Sequence, residues 1–323
     1  MDFRLLLILA LALGVLLPAV VQPVLRRLDL YDVPNARSSH TTATLRGGGL
    51  APALTLALAW LAGWRDSWPG WWIVLAALGF AVLGFTEDLR HLSVYFRLGG
   101  QFGIGLAAGF GLAAGLGWPL WSAAVMGLAA VFVVNAANFM DGINGISSYQ
   151  GVILGGSALI VGVLAGDYAL AGLGAVAFGA FAGFLPWNFP KAKMFLGDVG
   201  SYLLGGLGWG LGCWMWQATG WLLVGIAPIA VYATDVLTTL ARRTLHGAKL
   251  TQAHREHAYQ LLTAARSSHL SGTLIATAAS LLAVSAAIAC WHFQLPLAGW
   301  IAVAVCAASY ELLCLALAKR PRR

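Results

Sequence analysis

Charge is what this sequence is short of. Only 10% of its 323 residues are Asp, Glu, Lys or Arg, while 60% are hydrophobic. A soluble protein of this length could not cover its surface with so few charges, so a water-soluble globular fold is excluded. Cysteine is scarce too. Cys213, Cys290, Cys306 and Cys314 all fall inside apolar runs without metal-type spacing, so they read as packing residues rather than as a disulfide framework or zinc site. Period-two alternation is missing, which argues against a β-barrel. No long polar segment exists either. The longest polar gap covers about residues 239–270, too little for a soluble domain.

Eleven apolar runs are present, with cores near 3–25, 48–63, 71–86, 99–117, 119–136, 148–165, 168–185, 199–217, 220–238, 271–290 and 297–318. A bilayer is crossed by about 20 apolar residues in a helix. The second and third runs are short and are predicted to tilt or to borrow from their flanks. The 40 glycines suit close helix packing in lipid. The predicted fold class is therefore all-α: a polytopic membrane protein of about eleven transmembrane helices, built as one integral membrane domain over residues 1–323. The first run is read as a retained span, since Asp2 and Arg4 precede it and no A-x-A cleavage site follows.

Lys and Arg set the predicted orientation. With the N-terminus outside and the C-terminus cytoplasmic, 17 of the 19 basic residues fall on the inner side, leaving only Arg4 and Arg65 outside. The net charge of +7 is then a cytoplasmic feature suited to anionic lipid head groups and anionic solutes. The outer gaps ("GWRDSWPG", "GLGWP", "AGDY", "QATG", "CWHFQLP") are short and plain, and nearly every chemically interesting residue sits in an inner gap. A transporter is expected to place polar groups at mid-membrane in broken helices. The one-sided distribution favours an enzyme at the cytoplasmic membrane surface.

The inner gaps carry the candidates. The first, "LDLYDVPNARSSHTTATLRGGGLA", offers Arg37, His40 and Arg46, then three glycines whose N–H groups can approach an anion at a helix start. A basic juxtamembrane loop is the plainer alternative. The second, "GFTEDLRHLSVYFRLGGQ", places Glu87 and Asp88 at the end of a span, where acids oppose the helix dipole. The third, "NAANFMDGINGI", repeats Asn135, Asn138, Asp141 and Asn144 every three residues, which on a helix puts them on one side. Carboxylate and amide oxygens are hard ligands suited to Mg²⁺, and the amide NH₂ groups can donate to phosphate or sugar. The fourth, "LPWNFPKAKMFLGDVGSYLLGG", holds Lys191, Lys193, Phe195, which can stack on a base, and Asp198, which can equally be a helix N-cap. The fifth, "LARRTLHGAKLTQAHREHAYQLL", has His254 and His257 flanking Arg255 at a spacing that lets the two histidines share one helix face. It lacks the third ligand and glutamate of a zinc motif, so anion binding is preferred. Asp235, near the inner end of the ninth run, is a weaker candidate.

Hard oxygen ligands beside many cations suit Mg²⁺-assisted chemistry on a diphosphate, and no activated Ser or Cys nucleophile is evident. These stretches resemble, in family order, the polyprenyl-phosphate N-acetylhexosamine-1-phosphate transferases, the superfamily of WecA and MraY, and most of all its WbpL-like branch. The matching segments are "DVPNARSSH" with "RGGG", "GFTEDLRHLSVYFRLGGQ", "NAANFMDGINGI", "WNFPKAKMFLGDVGS" and "HREHAYQLL".

The resemblance implies that a polyprenyl phosphate attacks the sugar-bearing phosphate of a UDP-N-acetyl sugar and releases UMP. Mg²⁺, with Mn²⁺ as the alternative, would be the cofactor. It further implies that Asp198 binds the metal, and that Glu87 and Asp88 sit at the lipid-phosphate end, one of them as a base. Asn138 and Asp141 would contact the diphosphate and metal, Phe195 would stack on uracil, and His254, Arg255 and His257 would bind the sugar-nucleotide phosphate. The setting implied is the bacterial inner membrane with the active site facing the cytoplasm, at the start of O-antigen or other envelope-glycan synthesis. A homodimer is compatible with it, and no nucleic-acid partner is expected. The sequence departs from the family pattern at Glu87, where Asp is usual, at Asn144, where a second acid is usual, and at Ala43 and Leu45, where prolines are common. A transporter or flippase of an anionic lipid or nucleotide sugar is the competing function. A CDP-alcohol phosphatidyltransferase would need aspartates clustered on adjacent helical turns, which are not seen.

Overall fold

The computed structural model describes residues 2–34, 42–63, 67–248, 254–266 and 268–319. Arg37 and His40 lie outside the described residues. The chain forms thirteen α-helices among them: α1 (Phe3–Arg27), α2 (Leu50–Gly63), α3 (Trp68–Arg90), α4 (Val94–Leu116), α5 (Ser122–Met140), α6 (Ile146–Ala165), α7 (Tyr168–Asn188), α8 (Gly197–Thr219), α9 (Leu222–Ile226), α10 (Ala230–Leu245), α11 (Ala258–Arg266), α12 (His269–His292) and α13 (Pro296–Lys319). A two-residue antiparallel ribbon, β1 (Tyr31–Asp32) and β2 (Thr44–Leu45), pairs Tyr31 with Leu45 and Asp32 with Thr44. The all-α polytopic membrane architecture is thus present.

Nine helical segments among the described residues are long and apolar enough to cross a membrane: α1, α3 to α7, the continuous stretch Leu222–Leu245, α12 and α13. Two of the eleven predicted spans fall outside that set for different reasons. Helix α2 has 14 residues, about 21 Å of rise against a hydrocarbon core of about 30 Å. Helix α8 has 23 residues but packs among α3, α5, α6 and α9, and every residue from Val199 to Leu211 is buried. Its surroundings are protein rather than lipid, so glycines and tryptophans replace the leucines that lipid contact favours.

The plain outer gaps become caps. Ser67 accepts the N–H of Gly70 at the start of α3. Asp167 accepts from Ala169 and Leu170 at the start of α7. Gly117, Gly166 and Gly220 close α4, α6 and α8 in the left-handed region, where glycine carries no Cβ penalty.

At the other end the helices do not simply stop. The ninth predicted span continues past residue 238 to Leu245 as an amphipathic extension, because Thr239, Arg242 and Arg243 find partners on α13 and on the segment before α11. Helix α5 ends at Met140 with Asp141 as its C-cap. Only Asn135 and Asn138 of the four-residue series therefore lie on the helix, and the predicted single helical face for all four is corrected: Gly142 and the turn at Asn144–Gly145 break it. Likewise His254 and His257 are not on a helix, since α11 begins at Ala258.

Two close approaches set the site. A Cβ on Gly84 of α3 would overlap the Asp198 carbonyl, and one on Gly49 would overlap the Gly200 backbone of α8. Backbone cannot yield as a flexible side chain can. Gly84→Ala and Gly49→Ala are each expected to lower the thermal midpoint in detergent by several degrees, whereas Gly99→Ala, which meets nothing within 4 Å, should leave it unchanged or raise it. Equal effects at all three positions would contradict this packing.

Candidate active site

Four of the inner segments interlock through hydrogen bonds that reach the backbone. Phe195 N–H donates to the Leu45 carbonyl at 2.8 Å, while Gly48 and Gly49 N–H donate to the carbonyls of Phe195 (2.9 Å) and Leu196 (2.8 Å). Two of the three glycine N–H groups predicted to meet an anion, those of Gly48 and Gly49, are therefore already used to join the first segment to the fourth. The third segment joins the fourth through Asn188, whose Oδ1 accepts from Gly145 N–H (2.9 Å) and Ser148 Oγ (3.0 Å) and whose Nδ2 donates to the Met194 carbonyl (3.0 Å). The fifth reaches the third through Tyr259, whose hydroxyl donates to the Phe139 carbonyl at 2.8 Å. Gly142 leaves the room for that hydroxyl, since a Cβ there would overlap it.

At the junction lies Arg46. Its Nε is 2.6 Å from Asp88 Oδ1 and its Nη2 is 2.8 Å from Asp198 Oδ1. Asp88 has no exposed side-chain surface and accepts from Asp198 N–H (3.1 Å) and Val199 N–H (3.0 Å). The residue that caps α8 is thus Asp88, from another helix, not Asp198. Asp198 lies in the first turn of α8, and its Oδ1 also accepts from Asn138 Nδ2 at 3.0 Å. Asn138 Nδ2 further reaches Ser201 Oγ (3.0 Å). Oδ2 of Asp198 has no hydrogen-bond partner among the described residues. Burial alone would lower the Arg46 pKa, but Asp198 and Asp88 outweigh it and hold the guanidinium well above its usual range.

Asp141 stands beside this group. Burial, with repulsion from Asp198 and Asp88, pushes its carboxyl up to about 7, against a lowering by Ser147 and Arg46. A carboxylate that feels its neighbours' negative charge is relieved by a cation. Among the described residues no three His, Cys, Asp or Glu side chains converge on one point. Mg²⁺ needs less protein: one or two carboxylates, with waters and substrate phosphates completing its shell. Asp198 and Asp141 fit that demand.

Other predicted residues are placed differently. Asn135 does not reach the carboxylates, because its Nδ2 donates to Gln101 Oε1 (2.6 Å) and the Val131 carbonyl (2.7 Å) and so ties α5 to α4. Glu87 diverges from Asp88, accepting Leu92 N–H at 2.5 Å and facing Arg97 at 3.5 Å. Asn144 is a connector whose Nδ2 donates to the Pro190 carbonyl (3.1 Å). Lys193 lies over the Trp187 ring at 5.2 Å. Arg255 is half-buried.

The histidine pair does come together, with ring centres 5.1 Å apart. His254 Nδ1 is buried without a partner among the described residues, and burial, His257 and Arg243 together lower its pKa. His257 is buried, stacks on Phe139 (5.9 Å), and sets its Nδ1 2.9 Å from Asp235 Oδ1. A carboxylate only accepts, so Nδ1 carries the proton and Nε2 is the nitrogen left for a ligand. Asp235 is the residue that sequence reasoning undervalued. It is fully buried and also accepts from Ala258 N–H, Tyr259 N–H and Tyr310 OH, capping α11 as Asp88 caps α8. The available signal was its acid side chain in an apolar run.

The raised Asp141 pKa has a stability consequence. The unfolded chain releases this proton near the ordinary 3.8 and the folded chain near 7, so the folded state loses stability as pH climbs through that window. Asp141→Asn is expected to gain in thermal midpoint relative to wild type as metal-free protein is moved from pH 5 to pH 8. A pH-independent difference would contradict the assignment.

Residues 71–214 match the family model for glycosyl transferase family 4. Over 215 residues the chain is 30% identical to a decaprenyl-phosphate N-acetylglucosaminephosphotransferase of Mycobacterium leprae, covering 55% of this chain and 52% of that protein. It is 30% identical to an undecaprenyl-phosphate alpha-N-acetylglucosaminyl 1-phosphate transferase of Thermotoga maritima, covering 58% of each. A probable undecaprenyl-phosphate N-acetylglucosaminyl 1-phosphate transferase of Bacillus subtilis is 25% identical over 83% of this chain and 80% of its own length. The first two alignments thus span between half and three-fifths of those relatives. With the motif segments interlocked as described, residues 71–214 resemble glycosyl transferase family 4, and the chain is similar over the spans given to transferases that act on polyprenyl phosphates.

Proposed function

We propose that the protein transfers an N-acetylhexosamine 1-phosphate from a UDP-sugar to a polyprenyl phosphate, releasing UMP. We place the reaction at the cytoplasmic face of a bacterial inner membrane, at the start of O-antigen or other envelope-glycan assembly. The observation that carries this reading is the Arg46 bridge between Asp88 and Asp198, which with Asn138 joins four of the five motif segments. The relatives' names, which specify decaprenyl- or undecaprenyl-phosphate and N-acetylglucosamine, support a lipid-phosphate acceptor and an amino-sugar donor.

In the transfer, an oxygen of the lipid phosphate bonds to the sugar-bearing phosphorus, and the P–O bond to the UMP phosphate breaks with the bridging oxygen leaving on UMP. A phosphate monoester is already largely ionised at neutral pH, so no base is required to create the nucleophile. What the chain must do is hold two anions together. Asp198 and Asp141 would bind Mg²⁺, which when bound screens charge on the diphosphate. Arg46 keeps Asp198 aimed and has Nη1 left, without a partner among the described residues, to donate to a phosphate oxygen. Asn138 fixes the other flank of Asp198. Asp88 is used up as the α8 cap and Arg46 partner, so its work is positional. His254, Arg255, His257 and Lys193 would take the donor's phosphates, and Phe195 would stack on the uracil.

Purified protein is expected to release UMP only when UDP-sugar, polyprenyl phosphate and Mg²⁺ are all present. Asp198→Asn should lose about a hundredfold or more in rate while α8 keeps its N-terminal cap, because Asp88 and not Asp198 caps it. Arg46→Lys should also fail, since one ammonium cannot span two carboxylates as a guanidinium fork does. Failure to release UMP across a panel of UDP-sugars, or full activity in Asp198→Asn, would overturn the proposal.

A further inference from the structure

Helix α13 lies beyond the stretch that matches the family model, and it contains one acid, Glu311, next to Tyr310. An ionisable group in a membrane-spanning helix is costly and calls for a partner. Both residues are buried, and both point into the machinery of the fifth inner segment. Tyr310 OH donates to Asp235 Oδ2 at 2.7 Å. The same carboxylate holds His257 Nδ1 (2.9 Å) and the N–H groups of Ala258 (3.1 Å) and Tyr259 (3.4 Å). Glu311 Oε1 accepts from Thr238 Oγ1 (3.0 Å) and lies 3.7 Å from Arg242 Nη2. That nitrogen in turn donates to the Glu256 carbonyl at 3.0 Å, and Arg243 pairs with the Glu256 side chain. Two chains of contact thus run from adjacent residues of α13, one to the His257 ring and one to the backbone beside it.

We propose that Tyr310 and Glu311 make α13 the positioning element of the segment from His254 to His257, so that a lipid-embedded helix sets how the site grips the phosphates of a sugar nucleotide. The inference rests on the function proposed above for the choice of ligand, while the positioning itself is a property of the fold. Neither residue faces Arg46, Asp88 or Asp198, so the grip on lipid phosphate is not under their control. Phenylalanine at position 310 keeps the ring and removes only the donor to Asp235. Glutamine at 311 keeps an acceptor for Thr238 and removes the charge facing Arg242.

The test measures Tyr310→Phe and Glu311→Gln in the full-length protein in detergent. The readouts are steady-state kinetics, with the UDP-sugar that wild type turns over, and hydrogen exchange at the amides of residues 256–259. The expected result is a KM for the UDP-sugar raised fivefold or more, with kcat and the KM for polyprenyl phosphate within twofold of wild type. Amide exchange at Ala258 and Tyr259 should be at least tenfold faster. A merely structural role would move both KM values together with the global thermal midpoint, and that result, or unchanged exchange at 258 and 259, overturns the proposal. If one variant does not fold, the other carries the same readouts. If wild type turns over no UDP-sugar, the functional proposal fails, and the exchange data still decide whether α13 holds the segment.

Discussion

A single guanidinium between two carboxylates organises this protein. Arg46 reaches Asp88 on α3 and Asp198 on α8 with two different nitrogens. Asp88 in turn accepts the first N–H groups of α8. Remove the cation and two acids face each other across a glycine contact that has no room to relax. Removing one partner of a buried ion pair leaves an uncompensated charge, which is among the most destabilising changes a core can suffer. The bridge is therefore both a structural clamp and the device that keeps one oxygen of Asp198 available beside Asp141.

The same solution appears twice. Asp88 caps α8 from α3, and Asp235 caps α11 from α10. In each case an acid inside an apolar helix satisfies the open N–H groups of another helix and orients a polar side chain at the site, Arg46 in one case and His257 in the other. Helix N-termini attract negative charge, and in a low-dielectric setting that attraction fixes geometry firmly. The polar end of the bundle is therefore assembled from long-range acid-to-helix contacts, while the opposite end is closed by local Ser, Asp and Gly caps.

Much of the fold was legible in the sequence because apolar run length and loop chemistry are strong signals. The helix order, the plain loops of one end and the gathering of five polar segments at the other follow from them. The finer geometry was not legible, for identifiable reasons. A three-residue repeat is compatible with a helix face or with a helix followed by a turn, and Gly142 decides for the turn. His254 and His257 meet through a loop that their spacing cannot distinguish from a helix. Asp198 looked like a cap because it precedes a glycine-rich apolar run, but the true cap, Asp88, is 110 residues away in sequence. Asn135 belongs to the motif yet serves Gln101, a partner on another helix that no local pattern announces. Tyr310 and Glu311 carry no local signal, because their run reads simply as a span.

The most direct measurement of the central claim is a double-mutant cycle on unfolding free energy in detergent, pairing Arg46→Gln with Asp88→Asn and, separately, with Asp198→Asn. A shared guanidinium requires both pairs to couple, by about 0.5–3 kcal/mol each. Additivity within about 0.5 kcal/mol for either pair would show that Arg46 does not join the two helices and would contradict the account.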